Sequence, residues 1–418
     1  MSRKRDSSLI VLLLISIMFS ATFLVGTASA IIPQNTKAWF WTSDTNAASI
    51  ISADVDGDGA VEIITGGYYN DGIRWNAQLA VWNGSTLALE NVKPWYWTSN
   101  TQIASIAAGD VDGDGGVEIV TAGAYFDNTR WIAQLAVWNG STLALENVKP
   151  WHWTSNTQIT SVAVGNITGG IGLDIVTGGS YFDGVRNNAQ LVVWNGSTLA
   201  LENVQVWYWT SNTYISSVAI SNVDSDPTLE IVTGGAFFDN TRWSSQLVVW
   251  NGLTLALENV RAWYWTSDTD LASVAVGDVD ADGASEIITA GSYYDNIRDN
   301  AQLAVWNGST LALENVKTWY FTSSTFLKSV AYGDINGDGS VEIVTGGKFF
   351  DGTRYNAQLT VQPGATLIGN VGANWYWTSD TNIGSLVISN LVGTGNRIVT
   401  AGAYSDLTRS IAQLVVWG

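Results

Sequence analysis

One sentence of sequence is written seven times in this chain of 418 residues, at a fixed interval of 56. Trp41, Trp97, Trp153, Trp209, Trp265, Phe321 and Trp377 occupy one column of it; Asp54, Asp110, Asn166, Asn222, Asp278, Asp334 and Asn390 occupy another. A unit of this size buries its apolar faces only by stacking on its neighbours, so the array is expected to fold as one domain. It has room for four short strands, and four-stranded units repeated radially make a β-propeller. The last unit is one residue short, which places its arginine at Arg409.

Within the second unit, Ser105 to Gly109 reads as a small inner strand and Glu118 to Gly123 as a β-branched one. Gln134 to Trp138 alternates, and Leu143 to Trp153 is a long Trp-rich outer strand. Asn139-Gly140 between the last two predicts a two-residue hairpin turn, because both positions accept positive φ. Seven inner, second and third strands are present, but the chain stops at Gly418 with no outer strand after them. Lys37 to Ser43 reads as the missing one and is expected to complete the seventh blade, pairing two otherwise open edges. The fold class is therefore all-β, a seven-bladed propeller over residues 37–418 with a short linker at 31–36. The tryptophans of the outer strand share a face by the period of two and are expected to pack between blades. His152 stands where other units carry tyrosine (Tyr96, Tyr208, Tyr264) and reads as a tolerated substitution.

Residues 1–30 have a basic start (Arg3, Lys4, Arg5), an apolar run from Leu9 to Val25 and a small-residue exit at Ala28-Ser29-Ala30, the parts of a secretory signal. Left uncleaved, the same run would serve as a signal anchor, the one route to membrane contact. The expected location is extracellular or cell-surface. With no cysteine, rigidity must come from packing and metal rather than disulfides. Removing the segment takes away Arg3, Lys4, Arg5 and Asp6, so 18 basic and 37 acidic residues fall to 15 and 36, a net of −21. Such a surface repels phosphate backbones and argues against a nucleic-acid partner.

The acids are concentrated in loops. Asp54, Asp56, Asp58 and Glu62 fall at positions 1, 3, 5 and 9 of one loop, with glycine at position 6. Alternate residues of such a turn aim oxygens inward, and the carbonyl of Ala60 would add another; Ca2+ takes about six to eight oxygens of this kind. The set is complete again at Asp110, Asp112, Asp114 and Glu118, at Asp278, Asp280, Asp282 and Glu286, and at Asp334, Asn336, Asp338 and Glu342. Unneutralised, such crowded carboxylates repel one another. The loop at Asn222 keeps Asp224, Asp226 and Glu230 but loses its glycine; the loop at Asn166 keeps only Asp174, and that at Asn390 keeps none. Four sites, one doubtful and two empty, are expected.

The run Gly109-Asp110-Val111-Asp112-Gly113-Asp114-Gly115, followed by Glu118-Ile119-Val120-Thr121, resembles the FG-GAP repeat, the integrin α N-terminal and VCBS-like type. The resemblance extends over residues 38–418, with Glu replacing the usual Asp at position 9. It implies a calcium-bearing, seven-bladed propeller used for extracellular recognition. It leaves open what is recognised.

In an up-and-down blade the acid loops and the Asn-Gly turns share one face, and the remaining loops share the other. That second face carries Asp71 and Arg74, and in register Asp127 and Arg130, Asp183 and Arg186, Asp239 and Arg242, Asp295 and Arg298, Asp351 and Arg354, Asp406 and Arg409. Each Asp is expected to cap its turn and pair with its Arg. The residue after the Arg varies (Trp75, Trp131, Asn187, Trp243, Asp299, Tyr355, Ser410), as a recognition surface requires. Arg74 with Trp75, Arg130 with Trp131 and Arg242 with Trp243 are the ligand-binding candidates, on the expectation that these tryptophans stand exposed on loops. Asn83, Asn139, Asn195, Asn307 and Asn166 head glycosylation sequons, although Asn-Gly-Ser is also ordinary turn chemistry.

The chain lacks a thiol nucleophile and a Gly-x-Ser-x-Gly elbow, and its one histidine sits in a packing column, so no catalytic role is expected. The leading expectation is a monomeric binding module for an extracellular protein or glycan. The alternatives are an architectural surface-layer or matrix component and, behind it, a polysaccharide-active enzyme built on the repeat acids.

Overall fold

The computed structural model describes residues 31–418 apart from Ser225, Asn370, Val392 and Thr394; the expected signal segment lies outside the described residues. Seven four-stranded antiparallel sheets follow one another along the chain. The first comprises Thr45–Ala53, Glu62–Asn70, Trp75–Asn83 and Leu89–Trp95, from inner to outer strand. Residues 101–151, 157–207, 213–263, 269–319 and 325–375 form the next five blades. In the seventh, Pro33–Trp39 pairs antiparallel with Ser410–Trp417, so the N-terminal strand closes the ring. This strand begins four residues before the expected Lys37: Pro33–Thr36, read as linker, are strand, and Phe40–Ser43 form the following loop.

The inner strands meet around the axis through a ring of serines. Ser49 Oγ accepts the backbone N–H of Ile106 at 3.2 Å, Ser105 that of Val162 at 3.2 Å and Ser161 that of Val218 at 3.0 Å. Ser217, Ser273 and Ser329 continue to Val274, Val330 and Leu386, and Ser385 closes the circle on Ile50 at 3.4 Å. A bulge just before each serine swings it toward its neighbour. The same bulge explains a glycine present in all seven second strands: at Gly67 a Cβ would lie 2.0 Å from the carbonyl oxygen of Asn46.

Tryptophan joins the blades farther out. The last residue of an outer strand packs on a third-strand tryptophan of the next blade: Trp39 on Trp82 at 4.7 Å, Trp95 on Trp138 at 4.6 Å, and Trp375 on Trp417 at 4.7 Å. The buried third-strand indole donates to a second-strand threonine, as Trp138 does to Thr121 at 2.9 Å. Trp95, Trp151 and their equivalents thus pack between blades as expected, but Trp97, Trp153, Trp209 and Trp265 do not: the outer strand of blade 2 ends at Trp151, not Trp153, and these four are exposed in the loops that follow. One junction departs: Trp319 meets the blade whose corresponding residue is Gln362, not tryptophan.

The Asn-Gly connection is not the expected two-residue turn. Residues 140–144 join the third and outer strands of blade 2, and the positive φ, 53°, falls on Leu143, not Gly140. Asn139 Oδ1 accepts from the amide and hydroxyl of Thr142 at 3.1 and 2.8 Å. The left-handed conformation costs Leu143 roughly 1–2 kcal/mol, which burial of its side chain offsets. Gly140 is required by approach: a Cβ there would lie 2.2 Å from the Val117 carbonyl and 2.6 Å from that of Val55 in the preceding blade. Asn251, which heads no sequon, makes the same bonds to Thr254, so turn chemistry accounts for this asparagine column.

Candidate functional site

Each acid loop links an inner strand to the second strand of its blade, and backbone amides hold its carboxylates. In blade 1, Asp54 accepts from Gly57 and Gly59 at 2.8 and 3.0 Å, Asp56 from Asp58 at 3.1 Å and Asp58 from Ala60 at 2.7 Å. Glu62, the first residue of its strand and buried, accepts from Val55 through Oε2 at 3.0 Å. Positive φ at Gly57 and Gly59 wraps the chain around the carboxylates; at blade 5 the first of these positions is Ala281, with φ 65°.

Three carboxylates approach within 4.8 Å of one another at Asp54, Asp56 and Asp58, at Asp110, Asp112 and Glu118, and at Asp278, Asp280 and Asp282. Asp224, Asp226 and Glu230 do so as well, so the doubtful fourth loop keeps its convergence without the glycine. In blade 6, Asp334 and Asp338 hold the same backbone amides as their counterparts, while Asn336 donates to Glu342 Oε1 at 3.1 Å. The two degenerate loops are satisfied differently. Asp174 accepts the amides of Ile167 and Thr168 at 2.9 and 2.8 Å, and in blade 7 Arg397 stands where other units place the glutamate, paired in register with Ser389.

The glutamates reveal what these loops lack. Burial pushes Glu118 up to about 7, opposed by the Val111 amide and reinforced by Asp112, Glu146 and Asp114. Glu286 rises to about 7 for the same reasons, and its Oε1 is buried with no hydrogen-bond partner. An orphaned carboxylate oxygen on a glutamate close enough to Asp280 and Asp282 to be raised by their charge fits a hard cation as the missing partner. The chain's own residues would supply the three aspartates and the free glutamate oxygen. A fifth acid, overlooked in the motif, adds to the local field: Glu90, on the outer strand, lies close enough to raise Glu62 and accepts from Asn83 at 2.8 Å. Its signal was the Leu-Glu-Asn triplet recurring at 89–91, 145–147, 201–203, 257–259 and 313–315.

On the opposite face the seven Asp residues cap their turns as expected. Asp71 Oδ1 accepts from Ile73 and Arg74, both at 2.8 Å, and Asp71 N–H donates to the Arg74 carbonyl at 3.0 Å. The most strongly shifted, Asp183, is held at about 2 by the side chain of Asn188 and then by the amides of Arg186 and Val185. The expected Asp–Arg pairing does not generally form. Among the described residues only Arg242–Asp239 and Arg409–Asp406 form ion pairs, at 3.9 and 3.7 Å. The guanidinium stacks on an aromatic ring, including in the two units that pair: Arg74 on Tyr96 at 4.3 Å, Arg186 on Tyr208, Arg242 on Tyr264, Arg298 on Tyr320, Arg354 on Tyr376 and Arg409 on Phe40. His152 occupies that aromatic position opposite Arg130, whose Nη1 donates to the Thr154 carbonyl at 3.4 Å.

Trp75, Trp131 and Trp243 are not exposed loop residues. Each is the first residue of a third strand and half-buried, packed on Tyr68 at 5.3 Å, Phe126 at 5.7 Å, and Tyr214 and Phe238 at 5.4 and 5.6 Å. The period of two explains the shift: the strand extends back to include them. The more exposed aromatics are those beneath the arginines, such as Tyr96 and Tyr208.

Residues 54–121 and 278–345 match the model of the FG-GAP-like repeat. These two spans contain the four loops with the complete ligand set. No curated protein matches the chain. Among the described residues no helix is long and apolar enough to cross a membrane.

Proposed function

Because the chain is a β-propeller carrying FG-GAP-like repeats, we infer that it is a calcium-loaded recognition module, secreted or held at the cell surface, which binds a protein or glycan without transforming it. The observation carrying the metal half is the buried, unpartnered Oε1 of Glu286, at the start of the strand that follows the loop where Asp278, Asp280 and Asp282 converge. Calcium would neutralise these loops and fix the ends of the inner and second strands. The recognition half is supported by variation within a constant frame. The Asp-capped turns repeat around the ring while the residue after each arginine changes from tryptophan to asparagine, aspartate, tyrosine or serine. A non-catalytic role is supported by the way the repeat carboxylates are engaged, by backbone amides on both faces.

Extracellular calcium sites of this type bind at roughly 10⁻⁴ to 10⁻³ M. Millimolar calcium is therefore expected to raise the melting temperature and EGTA to lower it. Asp280→Ala with Asp282→Ala should reduce the bound calcium counted by calorimetry. A melting curve indifferent to EGTA, with no heat of calcium binding, refutes the metal assignment. A glycan array and a protein pull-down with the calcium-loaded chain test recognition separately.

A further inference from the structure

We propose that the channel mouth between blades 1, 2 and 3 binds one neutral hexopyranose residue of a glycan, an inference that rests on the recognition reading above. The mouth lies on the face of the stacked arginines, where inner strands begin and second strands end. Its frame repeats but its side chains do not. The second residue of the inner strand is Asn46, Gln102, Gln158, Tyr214, Asp270, Phe326 and Asn382 around the ring.

On the side of blades 4 to 6 these side chains engage one another. The Tyr214 hydroxyl donates to Asp270 Oδ1 at 2.6 Å, and its ring packs on Trp243. Lys348 Nζ lies 4.2 Å over the Tyr355 ring and 5.9 Å over that of Phe326. On the side of blades 1 to 3, Ala48, Ala104 and Ala124 leave a cleft of about 320 Å³, bounded by Tyr68, Trp131, Gln102, Gln158 and Thr160.

The chemistry of that cleft selects its occupant. Among the described residues, the side-chain amides of Gln102 and Gln158 have no hydrogen-bond partner. The glutamines of the third strands, such as Gln134 and Gln190, instead accept from indoles. An amide offers a donor and an acceptor side by side, which matches adjacent sugar hydroxyls. Trp131, braced by Phe126 at 5.7 Å, and Tyr68 supply aromatic wall at little entropic cost. The Thr160 hydroxyl is already committed to the Ile215 carbonyl at 2.6 Å and serves as wall. No lining residue is charged, and the net charge of −19 opposes uronates and phosphorylated sugars. The volume is at the small end of ligand sites, about 300 to 1,000 Å³, suiting a single ring.

The test is saturation-transfer NMR and calorimetry on the calcium-loaded chain with methyl glycosides of glucose, galactose and mannose, and with methyl glucuronide and a short peptide as comparisons. At least one neutral glycoside is expected to bind. Gln158→Ala, at an exposed position, and Trp131→Ala should each weaken binding by about tenfold, the equivalent of about 1.4 kcal/mol. Trp243→Ala, in the same column but outside the cleft, should leave it unchanged. The inference is overturned if no neutral glycoside binds, if Gln158→Ala binds as well as the parent, or if the glucuronide or peptide binds more tightly. A protein or acidic glycan captured equally by the parent and both cleft variants would overturn this site and leave the recognition reading standing. Silence in both array and pull-down would remove both.

Discussion

A single side chain can show what its column is for. Gln358 is fully buried, and neither its Nε2 nor its Oε1 finds a partner. Its counterparts Gln78, Gln134, Gln190, Gln246 and Gln413 each accept from the indole of the preceding loop. Gln302 Oε1 is buried without a partner although Trp265 precedes it, and at Gln358 the column residue, Phe321, has no N–H to offer at all. Phe321→Trp is therefore expected to stabilise the protein by about 1 kcal/mol, the usual net worth of one satisfied hydrogen bond. Chemical denaturation would register it, and no gain would mean that Gln358 is satisfied otherwise. The converging loop aspartates and the turn caps were legible at this scale because their oxygens act on amides two to five residues away. The arginine partner was not: Asp71 lies close in sequence but is occupied, and the ring that receives Arg74 belongs to a different loop.

Between blades, the exception again identifies the rule. At the junction where Trp319 faces Gln362, Gln362 Oε1 is buried without a partner; Trp319 Nε1 is unpartnered too, but so are those of Trp39, Trp95, Trp151 and Trp263 at junctions that keep both tryptophans. The threonine that elsewhere accepts the third-strand indole is here engaged by another hydroxyl, Thr345 with Thr360 at 2.7 Å. Gln362→Trp with Thr360→Ala restores the residues found in blade 2, Trp138 and Ala136, and frees Thr345. The pair should gain about 1 kcal/mol, as repeat-consensus changes commonly do. Gln362→Trp alone should gain less, because the indole would share Thr345 Oγ1 with the Thr360 hydroxyl; equal gains would show that the threonine bond is immaterial. The strands themselves were readable from alternation. The Asn-Gly turn was not, because its glycine answers to the carbonyls of Val55 and Val117, and only the former belongs to the preceding blade.

Across the whole ring, closure rests on one strand. Pro33–Trp39 covers the edge of Ser410–Trp417, and Trp39 packs on Trp82 in the first blade. Deleting residues 33–39 opens that edge and removes a buried tryptophan, a loss of at least about 3 kcal/mol. Calorimetry and gel filtration should find a lower melting temperature and association; a monomer of unchanged stability would refute closure by this strand. By itself the sequence determined the period, the number of blades, the missing outer strand and the loops built to gather carboxylates. Each of those is a pattern along one stretch of chain. Only the tertiary structure decided the serine circle, the arginine stacks and the cleft where blades 1 to 3 meet the channel mouth. These depend on side chains from different loops or neighbouring blades, 22 residues apart in the stack of Arg74 on Tyr96 and about a full repeat apart in the serine circle, and no local periodicity encodes which of them will touch.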